Sequence, residues 1–171
     1  MRTYKIAALF FFVLLSASSI CHGQTNVKRA VVTITGQVHK TLVLNELELN
    51  TFRQTQVLRR DKEGHKHRYS GVLLLDLLQK AEINSVHGPG SKNLNRYILV
   101  EASDGYQVIF TLAELDENYS SNRIILANSR DGEALPANEG PFRVIVQDGK
   151  KPARCIRQVT NIAVRIVDSK F

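Results

Sequence analysis

Residues 68–81 read RYSGVLLLDLLQKA. Within them Leu74, Leu77, Leu78 and Ala81 fall at i, i+3, i+4 and i+7, a spacing that gathers apolar side chains on one face of a helix. The pattern predicts a helix beginning near Ser70, with Gly71 at its start. On both sides the period changes towards two, so the helix sits among strands.

Upstream, TQVLRRDKEGHKHRYSG (55–71) holds two polar-to-basic extended pieces around DKEG, most simply a hairpin. Before it, AVVTITGQV (30–38) alternates, with Ala30, Val32 and Ile34 on one face and Gly36 ending the run, as a strand does. TLVL (41–44) is a short extended piece. Asn45 and Glu48 are spaced as a helix cap and open a brief helix to about Asn50.

Downstream, INSVHGPGSKNLN (83–95) is rich in turn residues, and YILVEASDGYQVIFTL (97–112) is two alternating runs joined by Asp104 and Gly105. That pair readily takes the positive φ angles of a tight hairpin. Thr111 and Glu114 repeat the capping-box spacing. RIILANSRDGEALP (123–136) reads as a buried strand and a turn, FRVIVQ (142–147) as a strand, and NIAVRIV (161–167) as a terminal strand. The expectation is one α/β domain of the α+β type, mixed but mostly antiparallel in its pairing, with short helices.

The first 23 residues have two early cations, Arg2 and Lys5, an apolar run from Ile6 to Leu15, and then small and polar residues. This is the layout of a secretory signal peptide, and the run is well short of the roughly 20 residues that span a bilayer. Cleavage after Gly23 would leave residues 24–171 as the mature domain. A lipid-modified Cys21 ranks second, because Ile20 stands where a small residue would be expected. The chain is therefore expected to be exported, periplasmic or extracellular, without a transmembrane segment.

Removing residues 1–23 takes away two cations and no acid, so that of 23 basic and 16 acidic residues 21 and 16 remain, a net charge of +5. The excess favours an anionic small molecule or surface as partner. Nucleic acid is a poor candidate for an exported chain without a recognition motif. A protein partner is not legible. Cys155 would be the only thiol left, unable to form an internal disulfide.

Taken in order, RYSGVLLLDLLQKA, ILVEASDGYQVIFTLAEL (98–115), IILANSRDGEALPANEGPFRVIV (124–146) and KKPARCIRQVTNIAVRIV (150–167) closely resemble the molybdopterin-binding domain of the sulfite oxidase family. The resemblance covers residues 31–167. It implies the fold of that domain and a molybdenum–pterin cofactor, in a family whose enzymes oxidise sulfite or reduce sulfoxides. It also implies one cysteine thiolate on the metal, at the end of the strand preceding the YSGV-like segment. Here that region has Arg59 and Arg60 and no cysteine. A guanidinium cannot replace an anionic sulfur donor, so the sulfite oxidase reaction is not transferred.

By the same resemblance, KKPARCIRQV (150–159) matches the family's late basic segment, near the cofactor's terminal phosphate. Arg154 and Arg157 take its basic positions, Lys150 and Lys151 add charge, and Cys155 takes a small-residue position. Planar guanidinium forks suit phosphate. The candidate cofactor-binding residues are thus Arg154, Arg157, Lys151 and Cys155, with no catalytic and no metal-ligating residue. Cys155 is read as a small packed side chain rather than an activated thiol.

Other features have plainer readings. His65 and His67 would share a strand face, but two ligands without a third make a weak metal site, which favours an exposed hairpin. HGPGSK (87–92) lacks the setting of a nucleotide loop and reads as a connection. Glu139 and Gly140 before Pro141 read as loop ahead of a strand. The function favoured is an exported, non-catalytic binding or accessory module. The alternatives are a molybdenum oxidoreductase with atypical ligation, and a cofactor-free structural or partner-binding domain.

Overall fold

A computed structural model of the chain describes residues 30–83, 94–147 and 152–167. The expected signal peptide with Cys21, the loop 87–92, and Lys150 and Lys151 lie outside the described residues. Among the described residues ten strands and three short α-helices follow one another. They are β1 (Val32–Gly36), β2 (Leu42–Leu44), α1 (Glu46–Leu49), β3 (Thr55–Arg60), β4 (Lys66–Leu73), α2 (Leu74–Lys80), β5 (Arg96–Ala102), β6 (Gln107–Thr111), α3 (Leu112–Leu115), β7 (Ile124–Arg130), β8 (Glu133–Ala134), β9 (Arg143–Val146) and β10 (Val159–Ile166).

Local signals account for many of these boundaries. Asn45 accepts a 3.1 Å bond from the Glu48 amide while the Glu48 carboxylate accepts the Asn45 amide at 2.8 Å, a closed capping box that starts α1. Thr111 and Glu114 do the same for α3, at 3.3 and 3.0 Å. Asp104 caps the β5–β6 turn by accepting from the Tyr106 amide at 2.9 Å, and Gly105 takes φ +83°.

The strands form two sheets, a division that alternation alone does not reveal. One has the order β2-β1-β10-β5-β6, and the other runs β3-β4-β7-β8 with β9 also paired to β7. Pairing is antiparallel except between β1 and β10. A contiguous core draws Ile34 and Ile98 from the first sheet, Ile125 and Val144 from the second, and Leu49, Leu77 and Leu112 from the helices. The segment before β10 joins the layers: Val144 donates to the Ile156 carbonyl at 2.9 Å, and Val159 donates to the Phe142 carbonyl at the same distance.

The expected start of the central helix is corrected. Tyr69 to Leu73 are extended, and α2 begins only at Leu74. The helical stripe itself is where the spacing placed it, with Leu74, Leu77, Leu78 and Ala81 buried. What moves the boundary is pairing on both edges of β4, which bonds to β3 and to β7; such tertiary hydrogen bonding overrides a local helical pattern. Gly71 is therefore a strand residue rather than a helix opener.

Its role is close approach. A Cβ there would run into the Leu126 carbonyl oxygen and lie 2.7 Å from the carbonyl carbon, beside the bulge between Ser70 and Gly71. Gly71→Ala is expected to force β4 and β7 apart and to cost about 1–3 kcal/mol, measured as a lower urea midpoint with an unchanged m-value. A variant as stable as the parent would show that the backbones relax freely.

Candidate functional site

Because β-strand side chains alternate, residues opposite one another in register share a face. In the second sheet Arg59 pairs with His67, Tyr69 with Arg130, and Ala127 with Arg143. One end of one face is thus a cluster of guanidiniums around a phenol. It borders a cleft of about 940 Å³ that extends over the β3–β4 turn and reaches Pro152 and Arg157. Among the described residues seven cationic side chains line this cleft, Arg59, Arg60, Lys62, Lys66, Arg130, Arg143 and Arg157, against three acids, Asp61, Glu63 and Glu139. The balance is +4 in one concavity, where low-dielectric walls focus the field.

The floor is a buried ion cluster. Arg143 Nη1 lies 2.6 Å from Glu139 Oε2 and donates to the Tyr69 hydroxyl at 3.1 Å. Its guanidinium carbon stands 5.4 Å from the centre of the Tyr69 ring, within cation–π range. Arg143 Nε is buried without a hydrogen-bond partner. Arg130 and Arg157 approach the other oxygen, Oε1, at 3.5 and 3.9 Å. Glu139 does lie in the loop expected of it, after the turn at Pro136 and before a cis Gly140–Pro141 peptide. It is nevertheless buried and paired, which the sequence reading missed.

At the mouth, His67 ties two turns together. Its Nδ1 is 2.6 Å from Asp131 Oδ2 in the β7–β8 turn, and its Nε2 is 3.2 Å from Asp61 Oδ2 in the β3–β4 turn. The bond to Asp131 raises the imidazole above its ordinary value, burial works against this, and Asp61 adds to the rise. Asp131 is held low by the Arg68 amide and by His67. Asp61 is also low: burial would raise it, but the His65 amide and the two imidazoles prevail. The hairpin expected around His65 and His67 is present, yet only His65 is well exposed, while His67 is mostly shielded.

The candidate residues of the late basic segment separate. Arg157 faces the cleft. Arg154 turns the other way, donating to both Glu114 oxygens at 3.1 and 3.0 Å and to the Ile109 carbonyl at 3.2 Å, with its guanidinium 4.4 Å from the Phe110 ring centre. Cys155 is buried, and its Sγ accepts from the Val146 amide at 3.4 Å, in keeping with a packed thiol. Arg59, which stands where the resemblance would put a sulfur ligand, donates to the Val146 carbonyl at 2.6 Å. Among the described residues no group of three or more His, Cys, Asp or Glu could hold a metal ion. No helix among them is long and apolar enough to cross a membrane.

Against known families, residues 22–170 match the oxidoreductase molybdopterin binding domain. Among solved structures the fold is similar to the crystal structure of the sulfane dehydrogenase SoxCD from Paracoccus pantotrophus, with a TM-score of 0.61 and 20% sequence identity over 82% of this chain. The match spans 40% of that longer chain. No curated protein sequence matches.

Two outcomes follow from the geometry. The His67 imidazole is expected to titrate above 6.5 by heteronuclear NMR, and Asp131→Asn to lower that value. Because the folded value is raised, the stabilisation from this bridge is complete below the unfolded value and fades as pH rises through the folded one. Separately, Arg154→Ala is expected to cost about 1 kcal/mol in urea unfolding, since the pair is partly exposed and screened. An unchanged midpoint would show that this clasp contributes nothing.

Proposed function

The chain belongs to the oxidoreductase molybdopterin binding domain family, and we propose that it works as an exported, non-catalytic module whose cleft binds an anionic, phosphate-bearing ligand. The observation that carries this reading is the +4 balance of the cleft among the described residues, built largely of guanidiniums and, among those residues, without a thiol. Arginine forks bind phosphate by paired hydrogen bonds.

The residues present fit one part of the family's cofactor and not the other. A pterin phosphate suits the cationic rim, where Arg60, Lys62, Lys66 and Arg157 would hold it. Among the described residues the metal has no sulfur donor there, since Cys155 is buried with its Sγ already engaged and the expected ligand region offers Arg59 and Arg60. A cationic side chain repels a metal cation instead of tethering it.

Export rests on the N-terminal layout: two cations, a short apolar run, and small residues up to Gly23. Fractionation of cells expressing the full chain tests it, with the periplasm or medium as the expected location. A form lacking residues 2–23 should remain in the cytoplasm.

The central test is to purify the full chain from the periplasm of a host that makes molybdenum cofactor, then to measure molybdenum by elemental analysis and pterin by fluorescence. The expected result is little or no molybdenum. Stoichiometric metal would overturn the non-catalytic reading. Binding of an anionic ligand should weaken with salt, because screening shortens the reach of charge to about 10 Å at 0.1 M. Arg157→Ala should weaken it further, while an unchanged affinity would remove this segment from the contact.

A further inference from the structure

The floor of the cleft carries an anion that the protein supplies itself. Three guanidiniums from three places in the chain, Arg130 at the end of β7, Arg143 in β9 and Arg157 ahead of β10, surround the carboxylate of Glu139 at 3.5, 2.6 and 3.9 Å. That carboxylate is only 10% exposed. Arg143, itself buried, keeps an unpartnered Nε beside it. Convergent arginines with a phenol hydroxyl nearby form the kind of nest that holds a bound oxyanion through charge-assisted bonds, and here Glu139 sits in that seat.

We propose that Glu139 is the residue that determines which anions the cleft accepts. Its carboxylate occupies the floor's anion seat, so a compact oxyanion such as phosphate or sulfate meets a like charge there and is refused. An extended polyanion can instead run from the half-exposed Arg157 at the edge of this seat out to Arg60, Lys62 and Lys66 along the rim. Like charges brought together at a desolvated site repel strongly, whereas an anion held at the rim need not approach that carboxylate. This inference rests on the reading of the cleft as an anion site.

The experiment uses the protein purified after expression of the full chain, with inorganic phosphate and inorganic tripolyphosphate as probes, followed by calorimetry and by thermal shift. The wild type is expected to bind tripolyphosphate and to show little affinity for phosphate. Glu139→Gln removes the charge but keeps the shape, and should tighten phosphate binding at least about tenfold. Glu139→Asp restores the charge and should refuse phosphate as the wild type does. Removing the carboxylate leaves Arg143 buried and uncompensated, which lowers stability. The thermal shift therefore serves as a second readout: phosphate should raise the melting temperature of Glu139→Gln and not that of the wild type.

Equal phosphate affinity in the wild type and Glu139→Gln, with tripolyphosphate still bound, would overturn the role of Glu139 while leaving the anion cleft intact. If neither protein bound either probe, the anion-site reading would fall, and this inference with it.

Discussion

The double pairing of β4 is the constraint on which the rest of the site depends. This strand bonds to β3 on one edge and β7 on the other, with Gly71 allowing the β7 backbone to come close. Since a strand alternates its faces with a period of two, a slip of one residue would turn Tyr69 and His67 away from the cleft. The same register sets Tyr69 opposite Arg130, and the β7–β9 register sets Arg143 opposite Ala127. The ion cluster is thus a product of backbone hydrogen bonding before it is a product of charge.

Once assembled, the cluster has an energetic character of its own. A buried ion pair seldom adds net stability, because desolvation offsets the attraction, but losing one partner is costly. Arg143 illustrates the balance: it gains Glu139, the Tyr69 hydroxyl and the Tyr69 ring, and still leaves Nε without a partner. A sequence selected only for packing would place an aliphatic residue between Phe142 and Val144. The guanidinium there is held by polar and aromatic partners instead, Glu139 and Tyr69.

Much of the fold was legible in the sequence where its signals are local. The capping residues Asn45 and Thr111, the Asp104–Gly105 turn and the leucine stripe of α2 each specify structure over a few neighbouring positions. The start of α2 was not legible, because partners far along the chain hold Tyr69 to Leu73 extended. The site divides in the same way. Arg157 could be read from a run of charge, but the convergence of Tyr69, Arg130, Glu139 and Arg143 depends on registers among β4, β7 and β9. One clue did stand in the sequence, an arginine inside the apolar run FRVIV; a charge in a strand buried throughout must find a counter-charge. Arg154 shows the opposite limit, since its family position and its neighbours in sequence say nothing of Glu114 waiting forty residues upstream.

The stretch from Pro152 to Val159 has a mechanical consequence. It is clasped to β6 and α3 by Arg154, which lies over Phe110 and pairs with Glu114, and stitched to the second layer by backbone bonds joining Ile156 to Val144 of β9 and Val159 to Phe142 just before it. Shearing one layer past the other would have to break these fastenings together with the core. The two layers are thereby coupled into a single cooperative unit, and the cleft, whose wall includes Arg157 of this stretch, inherits the rigidity of both.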